Sequence, residues 1–82
     1  MAIEIKHELL CLCKEYRKGE CDFSEVVASA MSVLDLDPYD WSWDIDIPVP
    51  TIIRWSEGKS EPRSLVADFV VEDIETKATE IL

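Results

Sequence analysis

Apolar side chains recur at three- and four-residue steps along most of this chain, and each such run predicts a helix with one buried face. Between Ile3 and Arg17 the repeat is Ile5, Leu9, Leu12, Cys13 and Tyr16. Glu4 and Glu8 stand early in that segment and Lys14, Arg17 and Lys18 late, the order a helix dipole favours, and Gly19 is a natural stop. Asp22 and Glu25 have the spacing of a capping box. They open a second helix to about Leu34, with Phe23, Val26, Val27, Ala30, Met31 and Leu34 available to a core. Asp37-Pro38 pairs a capping side chain with a proline where no amide is needed, so a third helix runs from Pro38 to Ile45, with Leu36 as its staple. Trp41 and Ile45 lie four apart on it, with the small Ser42 beside them. Pro48 and Pro50 fit only the first turn of a helix, which places the start of a fourth at Pro48 or Val49 and its end before Gly58. Gly58 to Pro62 is loop by composition. Ser64 then caps a last helix reaching Thr76 or beyond, with Leu65, Phe69, Val70 and Ile74 inward; the β-branched Val66, Val70 and Val71 leave a strand open as the alternative.

An all-α chain of five helices follows, and its 82 residues form one domain because they have no room for a second core. Two glycines and four prolines are too few to punctuate a series of strands. No apolar run approaches the roughly 18–20 residues that span a bilayer. The first residues lack the charged-then-apolar order of a secretion signal, so a soluble, cytoplasmic protein is expected. Cys11, Cys13 and Cys21 are odd in number and crowded at one end, which is no disulfide framework and fits a reducing compartment.

Residues 47–62 read Ile-Pro-Val-Pro-Thr-Ile-Ile-Arg-Trp-Ser-Glu-Gly-Lys-Ser-Glu-Pro. Thr51, Ile52, Arg54, Trp55, Gly58, Lys59 and Pro62 fall where the phage-repressor and Cro (XRE-type) helix-turn-helix family carries its Thr-apolar-x-Arg/Lys-Trp core and its Gly-Lys/Arg-x-x-Pro tail. Upstream, Asp37 as cap, Trp41, Ser42, Ile45, a turn at Asp46 and then Ile47 match the first helix of that motif. The chain resembles the family over roughly 36–62, with the helix-turn-helix at about 37–56 and the helix before Gly19 as an addition. The resemblance implies a repressor-like fold and a transcriptional regulator that binds DNA, often as a homodimer, with the helix after Pro48 in the major groove. The added N-terminal helix or the acidic C-terminal segment would supply a dimer interface. Three positions depart from the pattern. Pro38 stands where a glutamine often donates to a phosphate, Asp46 where the turn has glycine, and Pro48 and Pro50 where polar side chains meet base edges.

Charge complicates that reading. The net charge is −10, which repels nucleic acid at long range and attracts basic partners. Yet residues 47–63 hold Arg54, Lys59 and Arg63 against only Glu57 and Glu61, so the one segment that is not acidic carries the motif. Arg54, Lys59 and Arg63 are the candidate phosphate contacts, with Thr51, Ser56 and Ser60 as hydroxyl donors. The alternative for the three cations is pairing with Glu57, Glu61 and Asp68, or, for Arg54, anchoring the acidic helix from Pro38. Trp55 is expected in the core under the Gly58 loop and Trp41 in the core as well, while Trp43 faces elsewhere and, beside Tyr39, can mark an interface. The second functional alternative is therefore an acidic interaction module that keeps this scaffold and binds a basic protein rather than DNA.

Other chemistries have little to stand on. His7, Cys11, Cys13 and Cys21 lack the paired spacing of a zinc site, and buried, reduced thiols are expected instead. Asp35, Asp37, Asp40, Asp44 and Asp46 lack the glycine and closing glutamate of a calcium loop. One histidine, no Gly-rich phosphate loop and no serine in a nucleophile context argue against an enzyme, and no cofactor is implied.

Overall fold

A computed structural model describes the backbone of residues 2–81 and the side chains of residues 7–80. Ile5 and Glu4, assigned above to the first helix, have side chains outside that range. The described chain is all-helical: α1 spans Ala2–Arg17, α2 Phe23–Val33, α3 Pro38–Ile45, α4 Val49–Ser56 and α5 Ser64–Ile81. The strand alternative for residues 64–76 is thereby overturned: α5 is one continuous helix, and packing of its face outweighs the β propensity of its valines.

Local chemistry explains most of the boundaries. Gly19 has φ +79°, and its amide bonds the Tyr16 carbonyl while that of Glu20 reaches Glu15, so α1 ends in a paired left-handed closure. Gly58 closes α4 the same way, its amide on Trp55 and that of Lys59 on Arg54. Asp35 (φ 52°) takes the left-handed position after α2, a conformation open to aspartate, and the Leu36 amide returns to the Met31 carbonyl. Two expected caps differ. Asp22 stands at the start of α2, but its side chain makes no capping bond; the Asp22 carbonyl receives the Glu25 and Val26 amides. Ser64 is the first residue inside α5, and the carbonyl that takes the first bond is that of Arg63.

One core joins Leu9 and Cys13 of α1, Phe23, Val26, Val27 and Ala30 of α2, Trp41 and Ile45 of α3, Ile52 and Trp55 of α4, and Ala67, Val70, Val71, Ile74 and Ala78 of α5. Tyr16, Phe23 and Trp55 meet edge-on, with ring centroids 5.6 and 5.3 Å apart, which ties α1, α2 and α4 through one aromatic series. Arg17 also pairs with Glu75 at 2.6 Å and fastens α1 to α5. The expected inner face of α5 needs correction. Leu65 is 83% and Phe69 51% exposed, whereas Ala67, Val71 and Ala78 are buried. At about 100° per residue the row 67, 70, 71, 74, 78 occupies one side and 65 and 69 the opposite side.

Among the described residues no helix is long and apolar enough to cross a membrane.

Candidate nucleic-acid interface

The α3–α4 pair is built from its turn outward. Asp37 accepts a hydrogen bond from the Tyr39 amide at 2.9 Å, and Pro38 follows at the first helical position. Asp46 ends α3 in the left-handed region (φ 56°, ψ 42°), a conformation that aspartate tolerates better than most residues. The Ser42 hydroxyl donates to the Ile47 carbonyl at 2.6 Å, so the small side chain that admits a close helix crossing also fixes the turn. α4 then buries Ile52 and Trp55 and turns Pro50, Ile53, Arg54 and Glu57 outward. It is an outward-facing rod with one buried side. Its outermost positions are the apolar Pro50 and Ile53 with Arg54 and Glu57, and Thr51 and Ser56 are half-exposed beside them.

Each proposed contact residue has a definite place. Arg54 is exposed, and its Nη2 donates to the Thr51 hydroxyl at 3.4 Å, a long bond across one helical turn. The Ser56 hydroxyl donates to the Ile53 carbonyl at 2.7 Å within its own helix. Lys59 is drawn onto the end of α4 by its amide bond to Arg54, and its ammonium lies 3.4 Å from Glu57. Ser60 is half-buried, and Arg63 is exposed where α5 begins. Thus Thr51 lies in the first turn of α4 and meets Arg54 one turn on, Ser56 and Lys59 lie at the helix end, and Ser60 and Arg63 lie along the loop that leaves it. Of the pairings considered for the three cations, only Lys59–Glu57 forms among the described residues. Glu61 and Asp68 instead act on the Tyr16 phenol, whose pKa is raised by burial first and then by these two carboxylates.

Arg54 does not anchor the acidic helix. That role belongs to Lys77, which sequence reasoning missed: its ammonium lies 3.0 Å from Asp44 and 3.5 Å from Asp73. Burial works against the lysine's charge, but the hydrogen bond to Asp44 and the field of Asp73 prevail and lift its pKa above the ordinary value. Asp73 also accepts the Trp41 indole N–H at 2.9 Å. An Asp-x-x-x-Lys step was visible on α5; its partners on α3, more than thirty residues away, were not.

The thiols divide by position. Cys13 is buried, and desolvation with help from Glu75 pushes its pKa up to about 12. Cys21 is half-buried and donates to the Leu12 carbonyl, whereas Cys11 is exposed, against the expectation that all three are buried. The Cys-x-Cys spacing on a helix turns the two thiols to different sides. Among the described residues no group of three or more His, Cys, Asp or Glu side chains is gathered as a metal site requires.

Comparison of the chain with protein-family models, with curated proteins and with solved structures gives no match.

Proposed function

We propose that this chain is a DNA-binding transcriptional regulator of the repressor type, acting in the cytoplasm and docking α4 in the major groove. The observation that carries the reading is α4 itself. It follows a short left-handed turn, is held from behind by Ile52 and Trp55, and presents Arg54 without a carboxylate partner among the described residues. Arg54, Lys59 and Arg63 are the backbone contacts; Thr51, Ser56 and Ser60 add hydroxyl donors once their present bonds are exchanged. Pro50 and Ile53 have no polar group to offer a base edge, so base reading falls to apolar contact with thymine methyl groups. Repressor-type domains bind paired half-sites, which makes a homodimer on DNA part of the proposal.

Selection from random duplex DNA at low salt, followed by gel shift, tests this. An enriched, thymine-containing site is expected. Its affinity falls with salt on a logarithmic slope of about −5, since a homodimer brings two sets of Arg54, Lys59 and Arg63 to phosphates and each neutralised phosphate contributes about −0.9. Arg54→Ala should weaken binding at least about tenfold, the value of one charge-assisted contact. Failure to enrich any site at micromolar protein sinks the reading.

A further inference from the structure

Tyr39 and Trp43 stand one turn apart on α3, 69% and 89% exposed. They lie about 180° around the helix from the buried Trp41 and Ile45. Packing cannot account for them: an indole this open contributes almost nothing to the core. Carboxylates outnumber cations around them, with Asp40, Asp44 and Asp46 against Lys77. Asp40 and Asp44 flank Trp43 along one side of α3. On the other, a cleft between α3 and the start of α4 is lined by Ser42, Trp43, Asp46, Ile47 and Pro48. Lys77 reaches Asp44, but Asp40 and Asp46 have no ion-pair partner among the described residues.

We infer that this outer face of α3 is a docking surface for an arginine- and lysine-rich segment of a partner protein. Charge complementarity selects the occupant. A second copy docking through this same face would set Asp40, Asp44 and Asp46 against their own counterparts, a local meeting of like charges. DNA would set phosphates against Asp40, Asp44 and Asp46. A guanidinium or ammonium group satisfies both parts of the surface at once. It stacks over the electron-rich faces of Trp43 and Tyr39 and pairs with the adjacent carboxylates. The cleft beside Pro48 takes the aliphatic stem of such a side chain, which favours apolar contact below its charged head. This surface adjoins the start of α4 at Pro48, is centred on α3, and stands whether or not α4 binds DNA.

Trp43 supplies its own readout, because Trp41 and Trp55 are buried and only Trp43 is open to solvent. A short oligo-arginine peptide is titrated into the full chain at about 0.15 M salt, where long-range attraction is screened beyond about 8 Å. Expected are saturable binding and a change in tryptophan emission that is absent in Trp43→Ala. Trp43→Ala weakens the peptide about tenfold, Asp40→Asn weakens it less, and Glu80→Gln on α5 leaves it unchanged. Both α3 substitutions sit on exposed positions, and circular dichroism verifies that each variant keeps its helices. Absence of binding overturns the proposal, as does equal binding by Trp43→Ala. So does an equal loss in Glu80→Gln, which would mean diffuse attraction to an acidic chain. A dimer in sedimentation that Trp43→Ala dissolves would assign the face to a second copy and overturn it too, as would duplex DNA that changes Trp43 emission where the peptide does not.

Discussion

Asp22 and Asp37 hold the same position relative to their helices, yet only one works as a cap. Both precede the first helical residue with extended backbone, but Asp37 accepts the Tyr39 amide and Asp22 accepts nothing through its side chain. Removing a working cap costs about 0.5–2 kcal/mol. Asp37→Ala should therefore lower the unfolding free energy by an amount in that range, read as a lower urea midpoint at unchanged slope, while Asp22→Ala should leave both nearly unchanged. A loss as large in Asp22→Ala as in Asp37→Ala would show that the two carboxylates act alike, through the helix dipole rather than through a specific bond. Residue type and spacing made both sites visible in the sequence. Which carboxylate turns onto an amide depends on a rotamer, and spacing does not encode that.

At the scale of elements, the ends of helices were legible and their faces less so. Gly19, Asp37-Pro38, Pro48 and Gly58 act within a few residues of themselves, so the boundaries of α1, α3 and α4 follow from local steric rules. The inner side of α5 depends on which row of the helix the distant α1 and α2 meet, and that row carries Ala67 and Ala78 with Val70, Val71 and Ile74 rather than Leu65 and Phe69. The motif from Thr51 to Pro62 placed the candidate site on α4 and its loop for the same local reason, whereas pairing of its cations depended on distant geometry. Gly58 joins the two levels. Its φ of +75° closes α4, and a Cβ built there would stand 3.6 Å from the Ser24 hydroxyl, so the loop rests on the start of α2 without crowding it. Gly58→Ala should thus cost only the conformational penalty of the left-handed region, about 1–2 kcal/mol, read as a lower midpoint in urea with unchanged slope. A loss of several kcal/mol would mean that α2 and the loop are packed more tightly than the structure has them.

Among the described residues, one polar junction ties α5 to α3 across the molecule. Asp73 of α5 accepts the buried Trp41 indole, and Lys77 one turn on bridges Asp73 to Asp44 near the C-terminal end of α3, where a cation also suits the helix dipole. Cutting the junction at Asp73 leaves a buried indole N–H without its acceptor, so Asp73→Ala should destabilise the fold by about 1–3 kcal/mol. Lys77 makes the junction sensitive to alkali. Its pKa is raised above 10.5 in the folded chain, so the folded state holds this proton more tightly than the unfolded state does. The stabilisation is complete below 10.5 and drains away as the pH climbs through the higher folded value. The raised Tyr16 and Cys13 groups act in the same direction, because losing their protons puts charge where burial opposes it. The lysine's share is isolated by comparing the chain with Lys77→Met. At neutral pH the variant should be the less stable of the two by under about 1 kcal/mol, since the ion pairs are partly solvated. Above 10.5 the two stability curves should converge. Parallel curves through the alkaline range would place the pH response elsewhere, in the buried phenol and thiol, and would reduce Lys77 to a packing stem against α3.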